Sequence, residues 1–416
     1  MNILFVHEVD WLKKVVFEIY NLSELLALSG HRVYAIDYES MWTKNGFFDF
    51  GNLRPKVLNG VARAYPGASV SLLRPGFIKI PGLSRISAAF THYLEIQKII
   101  KDKNIDIIIL YSVPTNGLQT IHLAKKFNIP VVFRSIDISH QLVPYPVLRP
   151  ITKFLEKEVY SNVDLILTRS PTLSDYVIRR GARENKVRLL LPGVDTHLFR
   201  PSVDSTEIRQ KWQIKEGEHI IVFVGTLFEF RGLDTFLYRF PEVIKQIPEA
   251  KLLIVGDGPL RPKLEGIMAE LGLRRQVIIT GFEPYATMVQ YINLATICID
   301  PFPITEATRE IIPGMVPGKI FQYLACGKGV VSTLLPGITA LLPSESHGIV
   351  YASNADDMAI KVIFLLNSPE HRQQLGEAGL NYVRQVHSYE KIARQLETTL
   401  EEAIKEKHNG AISKRA

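Results

Sequence analysis

Apolar runs of strand length alternate along the chain with stretches whose apolar positions recur every three or four residues. That alternation predicts strands and helices in turn. Asn2 to Val6 reads as a first strand, Val15 to Ser29 as its helix with Gly30 closing it, and Arg32 to Asp37 as a second strand. Ile105 to Tyr111, Val131 to Phe133, Leu165 to Thr168 and Val187 to Leu190 supply further buried strands, with a helix over Ile151 to Val159. After a polar stretch, Arg200 to Glu218, the rhythm begins afresh. Strands are expected at Ile220 to Gly225, Lys251 to Val255, Gln276 to Thr280, Ile297 to Asp300, Val330 to Thr333 and Ile349 to Tyr351. Helices are expected at Pro259 to Leu271, Ala286 to Asn293 and Lys319 to Ala325. This grammar belongs to α/β proteins with parallel sheets. It divides the chain into two Rossmann-like, doubly wound domains, 1–200 and 201–387. The remaining segment, 388–416, holds a long amphipathic helix, Ser388 to Lys405, that either packs back on the N-terminal domain or finishes the second.

Composition narrows the class. The chain has 416 residues, 46% of them hydrophobic and 22% charged, which suits two large globular domains. No apolar run approaches the 18 or so residues of a membrane span. The opening MNILFVHEVD lacks the basic stretch of a secretory signal. Two cysteines, Cys298 and Cys326, make neither a disulfide framework nor a zinc site, so reduced thiols in a cytoplasmic protein are expected. The net charge of +7 is uneven: residues 1–200 hold 26 Lys and Arg against 17 Asp and Glu. Within 41–90, Lys44, Arg54, Lys56, Arg63, Arg74, Lys79 and Arg85 stand against Asp49 alone, interleaved with aromatic residues such as Trp42, Phe47, Phe48, Phe50, Phe77 and Phe90. That mixture suits peripheral contact with anionic headgroups or a phosphorylated acceptor, or else a solvated insertion with its own small core. No nucleic-acid motif accompanies the charge.

Ligands of open α/β sheets bind beyond the carboxyl ends of the strands. There, Gly225 ends one strand and leads to Arg231 and Gly232, and Gly256-Asp257-Gly258-Pro259 opens a helix with Pro259 at its first position. The third glycine of a dinucleotide fingerprint is missing, and so is a P-loop. The densest stretch is IIPGMVPGKIFQYLACGKGVV, 311–331. Here Gly314 and Gly318 lead into a helix whose N–H groups and dipole favour an anion. Lys319 in the first turn opposes that dipole, and phosphate supplies its reason; with Arg231 it would neutralise a diphosphate. Such a site needs no metal, and neither an Asp-x-Asp nor a histidine pair at ligand spacing occurs.

Five segments in order, LPGVDTHLFRP (191–201), VGTLFEFRGLDTFL (224–237), LLIVGDGPLRPKLE (252–265), ITGFEPYATMVQYINLATICIDPF (279–302) and VPGKIFQYLACGKGVVST (316–333), resemble the retaining glycosyltransferases of family 4, which have the GT-B fold of two Rossmann-like domains facing across a cleft. The N-terminal half matches more loosely, through GHRV at 30–33 and IPVVFRSID at 129–137. The resemblance implies donor-diphosphate roles for Arg231 and Lys319, a base-framing loop at Gly281, Phe282 and Glu283, and Gln322 in place of the glutamate that holds the donor ribose. Gly314 stands at the first glutamate of the family's Glu-x7-Glu pattern, leaving Glu306 or Glu310 as substitutes for the sugar contact. Asp137 is either a sugar or acceptor contact or an N-cap, with His140 close behind it. His7, Glu8, Asp10, Lys13 and Lys14 crowd the first loop as acceptor-side candidates or as a solvated polar loop.

The expected activity is therefore transfer of a sugar from a nucleoside diphosphate sugar to a glycan or lipid-linked acceptor, without cofactor or metal, with closure about Pro192 to Pro201 excluding water. A non-catalytic partner that binds nucleotide sugar or glycan, or a nucleotide-sugar epimerase, would share the fold.

Overall fold

In the computed structural model the described residues are 1–39, 50–80, 83–111, 113–143, 145–306, 308–309 and 311–413. Lys44, the aromatic residues between 42 and 48, and Glu310 lie outside them. The chain forms two compact units, one of Met1–Leu191 with Glu390–Ala416, the other of Pro192–Tyr389.

The first unit runs β1 (Asn2–Val6), α1 (Glu18–Leu28), β2 (Arg32–Ile36), β3 (Gly51–Asn52), β4 (Lys56–Val61), β5 (Val70–Arg74), β6 (Phe77–Ile78), α2 (Ser84–Lys103), β7 (Ile107–Leu110), α3 (Gly117–Phe127), β8 (Val131–Ser135), α4 (Arg149–Asn162), β9 (Leu165–Thr168), α5 (Pro171–Arg179) and β10 (Val187–Leu189). Its eight-stranded sheet has the order β10-β9-β8-β7-β1-β2-β5-β4, parallel except for β4. The central strands are buried on both faces, so they read as unbroken apolar runs such as IIIL in β7. Helix α1 starts at Glu18 rather than near Val15, because the Asp10 carboxylate takes the N–H groups of Leu12 and Lys13 and folds them into a turn.

The second unit runs α6 (Thr206–Lys211), β11 (His219–Val224), α7 (Leu233–Leu237), α8 (Phe240–Gln246), β12 (Ala250–Val255), α9 (Arg261–Glu270), β13 (Val277–Ile279), α10 (Met288–Leu294), β14 (Ile297–Asp300), α11 (Gly318–Ala325), β15 (Val330–Thr333), α12 (Pro336–Thr339), β16 (Ile349–Ala352), α13 (Ala355–Leu366) and α14 (Pro369–Val386). Its six strands are all parallel, in the order β13-β12-β11-β14-β15-β16. The chain winds outward from β11 in one direction and from β14 in the other, so the crevice of the sheet opens between those two strands.

The division falls at Leu191, ahead of the expected 200, because Val194 already pairs with Ser388 and donates to the His387 carbonyl at 2.8 Å. His387 in turn donates from Nδ1 to the Pro192 carbonyl, 2.8 Å away. The closing helix, α15 (Tyr389–Ser413), belongs to the first unit from Glu390 onward. It buries Ile392, Leu396 and Leu400 and reaches His31 through Glu397 and Asp164 through Lys407.

Candidate functional site

Three glycines mark the carboxyl ends of β11, β12 and β13. Gly225 donates to the Val255 carbonyl at 2.9 Å, and Gly256 pairs with Gly281. A Cβ on Gly256 would lie 2.0 Å from the Gly225 carbonyl oxygen, so the loops close up only without side chains. Gly258 is pinned the same way against Leu227, whose carbonyl accepts from Leu260 at 2.9 Å. This turn spends Gly258 to Leu260, so α9 begins at Arg261 and Pro259 is not its first residue.

Helix α11 is docked onto the neighbouring edge by Tyr323, whose hydroxyl accepts from the Val224 N–H at 2.7 Å. Lys319, one turn earlier on the same face, therefore points at Gly225: a Cβ there would meet its Nζ at 3.4 Å. The ammonium sits 3.7 Å from the Phe223 ring centroid and 3.0 Å from Oδ1 of Asp300, the last residue of β14. The Asp300 contact is an ion pair off the hydrogen-bonding angle: among the described residues neither Lys319 Nζ nor either Asp300 oxygen finds a hydrogen-bond partner. Burial pushes the lysine down to about 7; Asp300 opposes that shift and Arg231 adds to it. Arg231 closes a short turn, Glu229–Arg231, and the next residue, Gly232, packs its α-carbon so tightly on the Pro301 carbonyl that a Cβ would lie 1.7 Å away. Its guanidinium stacks on Phe230, and its Nε has no hydrogen-bond partner among the described residues. The first turn of α11 carries no side-chain cap and no acidic residue, and the space beside Gly318 is open.

The other expected donor residues are placed as follows. Phe282 is 72% exposed on its loop, available to stack on a base, whereas Glu283 is held at 2.6 Å by Lys211. Gln322 turns away from Lys319 and donates to the Tyr285 hydroxyl at 3.4 Å, at the end of that same loop. Gly314 is buried in a short turn and Glu306 is exposed. A cavity of about 650 Å³ lined by Tyr238, Arg239, Phe302, Thr333 and Asn354 includes neither Lys319 nor Arg231.

In the first unit the candidates are mostly engaged. Asp10 is ion-paired to Arg74 at 2.7 Å, and Arg74 also holds Asp37. His140 is clamped by Glu156, which takes its backbone N–H at 2.9 Å and its Nδ1–H at 2.8 Å. His7 is buried against Phe17 and Tyr111, and burial with Lys14 nearby lowers it to about 3. Lys13 is exposed, and Asp137 is half-buried just beyond β8; the short turn after it begins at Ser139 with Ile138, not Asp137, at its cap position. The basic stretch of 41–90 is partly turned inward: Arg63 donates to the Lys14 carbonyl, Arg74 is buried and Lys79 pairs with Glu39, whereas Arg85 pairs with Glu8 but stays 61% exposed. Arg54 and Lys56 remain exposed.

Sequence reasoning missed Asp300, Tyr323 and Phe223. A carboxylate closing the otherwise apolar strand ICID, and a tyrosine four residues after Lys319, were the available signals.

The two-unit α/β architecture, with glycine loops and two cations at one sheet edge, is of the doubly wound class that binds ligands at the carboxyl ends of its strands, and sequence comparison places it. Residues 204–382 match the model of glycosyl transferases group 1, and residues 18–198 that of glycosyltransferase family 4; the chain belongs to this family of GT-B glycosyltransferases. Among curated relatives, D-inositol 3-phosphate glycosyltransferase of Segniliparus rotundus is 24% identical over 64% of this chain and 57% of its own. Alpha-monoglucosyldiacylglycerol synthase of Streptococcus pneumoniae is 23% identical over 72% of this chain and 69% of its own. The chain spans between 52% and 69% of the length of the first such relatives. Among solved structures, sucrose-phosphate synthase of Thermosynechococcus elongatus shares the fold with TM-score 0.72 at 19% identity, covering 97% of this chain and 99% of that one. Anabaena HepE in complex with UDP does so with TM-score 0.69 at 15% identity, covering 97% and 100%.

Proposed function

We propose that the protein transfers a sugar from a nucleoside diphosphate sugar to a glycan or lipid-linked acceptor, with retention of configuration and without a metal ion, at the cytoplasmic face of a membrane. The observation that carries the reading is the pairing of Lys319 and Arg231 beside Gly225. Both cations are under-partnered where the sheet opens, next to the uncapped start of α11. Preorganised cations and helix N–H groups stabilise charge growing on a departing diphosphate by several kcal/mol, the main requirement when the glycosyl bond breaks. The leaving phosphate would then accept the acceptor's proton on the face it vacates, so no enzymic nucleophile is needed. HepE structures with UDP and UDP-glucose support the donor class, and the alpha-monoglucosyldiacylglycerol synthase among the relatives supports a lipid-linked acceptor. One feature favours the second reading, a non-catalytic sugar-nucleotide binder: Gln322 replaces a charged ribose ligand and is occupied with Tyr285.

A thermal-shift series with UDP, GDP, ADP, CMP and their sugar conjugates, with and without EDTA, tests the donor site. Ligand at about 100 times its Kd should stabilise the fold by about 2.7 kcal/mol. Stabilisation that persists in EDTA and is lost in both Lys319→Ala and Arg231→Ala, together with transfer, is the expected outcome. Protection by none of the nucleotides would favour the non-catalytic reading, and full transfer by both variants would remove the site assignment.

A further inference from the structure

The first unit exposes apolar side chains in one short segment to a degree that packing does not explain. Leu142, Tyr145, Val147, Leu148, Ile151 and Phe154 are exposed by 64%, 66%, 80%, 44%, 58% and 59%. They belong to the connection after β8 and the start of α4. Helix α4 has three faces rather than two. Thr152, Glu156 and Val159 are buried against the unit, Lys153 and Lys157 are exposed on a second face, and Ile151 and Phe154, three residues apart, form an outward apolar third. An ordinary surface helix has no need of the third face.

The charge around the patch fits one kind of occupant. Arg149, Lys153 and Lys157 lie along α4 against the half-buried Glu158, the other acidic residue, Glu156, being sequestered on His140. The first turn of α4 has no side-chain cap and no acidic residue, and it follows directly on the exposed Val147 and Leu148, so nothing there offsets the positive end of the helix. On the same sheet edge the start of α2 repeats the arrangement: Leu83, Ile86 and Phe90 are exposed by 49%, 69% and 66%, without a cap or a first-turn acid. Consecutive parallel strands β7, β8 and β9 put α2, α3 and α4 in one layer, and the starts of all three helices at one end of it. Aromatic and aliphatic tips ringed by lysines and helix starts match a surface whose interior is apolar and whose boundary carries phosphate.

We propose that this rim, centred on Tyr145 to Phe154, docks the protein onto the surface of a bilayer containing anionic phospholipid, Val147, Ile151 and Phe154 entering the headgroup boundary while Lys153 and Lys157 meet phosphates. The proposal deepens the membrane-side placement above and moves its centre from 41–90, where Arg74 and Lys79 are held in ion pairs with little of either side chain exposed, while keeping the start of α2 at 83–90 beside it. It does not rest on the donor site.

The test is sedimentation of the full chain with vesicles of phosphatidylcholine alone or mixed in comparable amounts with phosphatidylglycerol. The protein is expected to pellet with the mixed vesicles and to be released by salt. Lys153→Gln with Lys157→Gln should weaken that binding about 30-fold, at about 1 kcal/mol per lysine near an anionic surface. Val147→Ser with Phe154→Ser should weaken it about 10-fold or more. A control on α13, Ile360→Ser with Phe364→Ser, equally exposed at 63% and 52%, should bind as the unaltered chain does. Failure of the unaltered chain to pellet with either vesicle, unchanged binding by the rim variants, or an equal loss in the control would each overturn the proposal. UDP protection followed on the same samples reports the donor site separately, so its loss or survival bears only on that reading.

Discussion

The two units put charged residues at the carboxyl edge of a parallel sheet and treat them in opposite ways. In the first, the most deeply buried charges are answered within the fold. Arg134, 1% exposed on β8, is bidentate to Glu18 at 2.6 and 2.7 Å and also donates to the Leu190 carbonyl; Arg74 holds Asp10 and Asp37; Glu156 holds His140. In the second, Lys319, Asp300 and Arg231 stand close together with polar atoms that find no hydrogen bond among the described residues. A buried cation normally completes its hydrogen bonds within the fold. On the proposed function, one that does not, beside glycines that leave room, awaits the donor diphosphate. For these groups, unmade hydrogen bonds, more than the presence of charge, distinguish the proposed donor site from the scaffold.

The strongest way to break that comparison is at Glu18. Burial alone would raise this carboxyl, yet Arg134 overcomes it and holds it below the usual range. Glu18→Ala would leave Arg134 buried and uncompensated, and a loss of about 3–5 kcal/mol is expected in chemical denaturation. Because the folded carboxyl is depressed, its contribution is present above the ordinary carboxylate value and fades as pH falls through the folded one.

Next comes pH. With Lys319 at about 7, a nucleoside diphosphate must find it protonated, so affinity should fall by up to about tenfold per pH unit as pH rises above 7. Titration calorimetry of UDP across that range checks it, and Lys319→Arg should flatten the dependence. The fold itself responds with the opposite sign. Between about 7 and the ordinary lysine value of 10.5 the unfolded chain keeps a proton that the folded chain has released, so ligand-free stability should rise with pH there.

The smallest effect is expected at the exposed pair of Arg188 with Glu402 on α15, where Arg188→Ala should cost about 0.2–1 kcal/mol by thermal melting. A larger loss would mean that α15 is held by its charges and not by Ile392, Leu396 and Leu400.

How far the chain could be read follows from the same contrast. Strands β1, β9, β14 and β15 begin and end at the residues read from the sequence, because every residue but Asn2 is buried and no exposed position interrupts the runs. Helix α2 and the strands between Gly51 and Ile78 were not legible. Helix α2 carries apolar residues on its exposed as well as its buried side, which erases the period, and β4 is an exposed edge strand, KVLNGV, without clean alternation. Lys319 and Arg231 were legible as cations at glycine-rich turns. Asp300, the ion-pair partner of Lys319, was not, since the contact of α11 with the end of β14 is a matter of tertiary packing, which spacing does not encode. Asp10 and His140 were polar residues in promising loops, and only three-dimensional neighbours reveal that Arg74 and Glu156 had already claimed them.

The second unit is one uninterrupted stretch, while the first is assembled from both ends of the chain. During synthesis the second unit is therefore complete as soon as Tyr389 has left the ribosome. The first must wait for α15, and until that helix is made the surface that Ile392, Leu396 and Leu400 cover stays open to solvent.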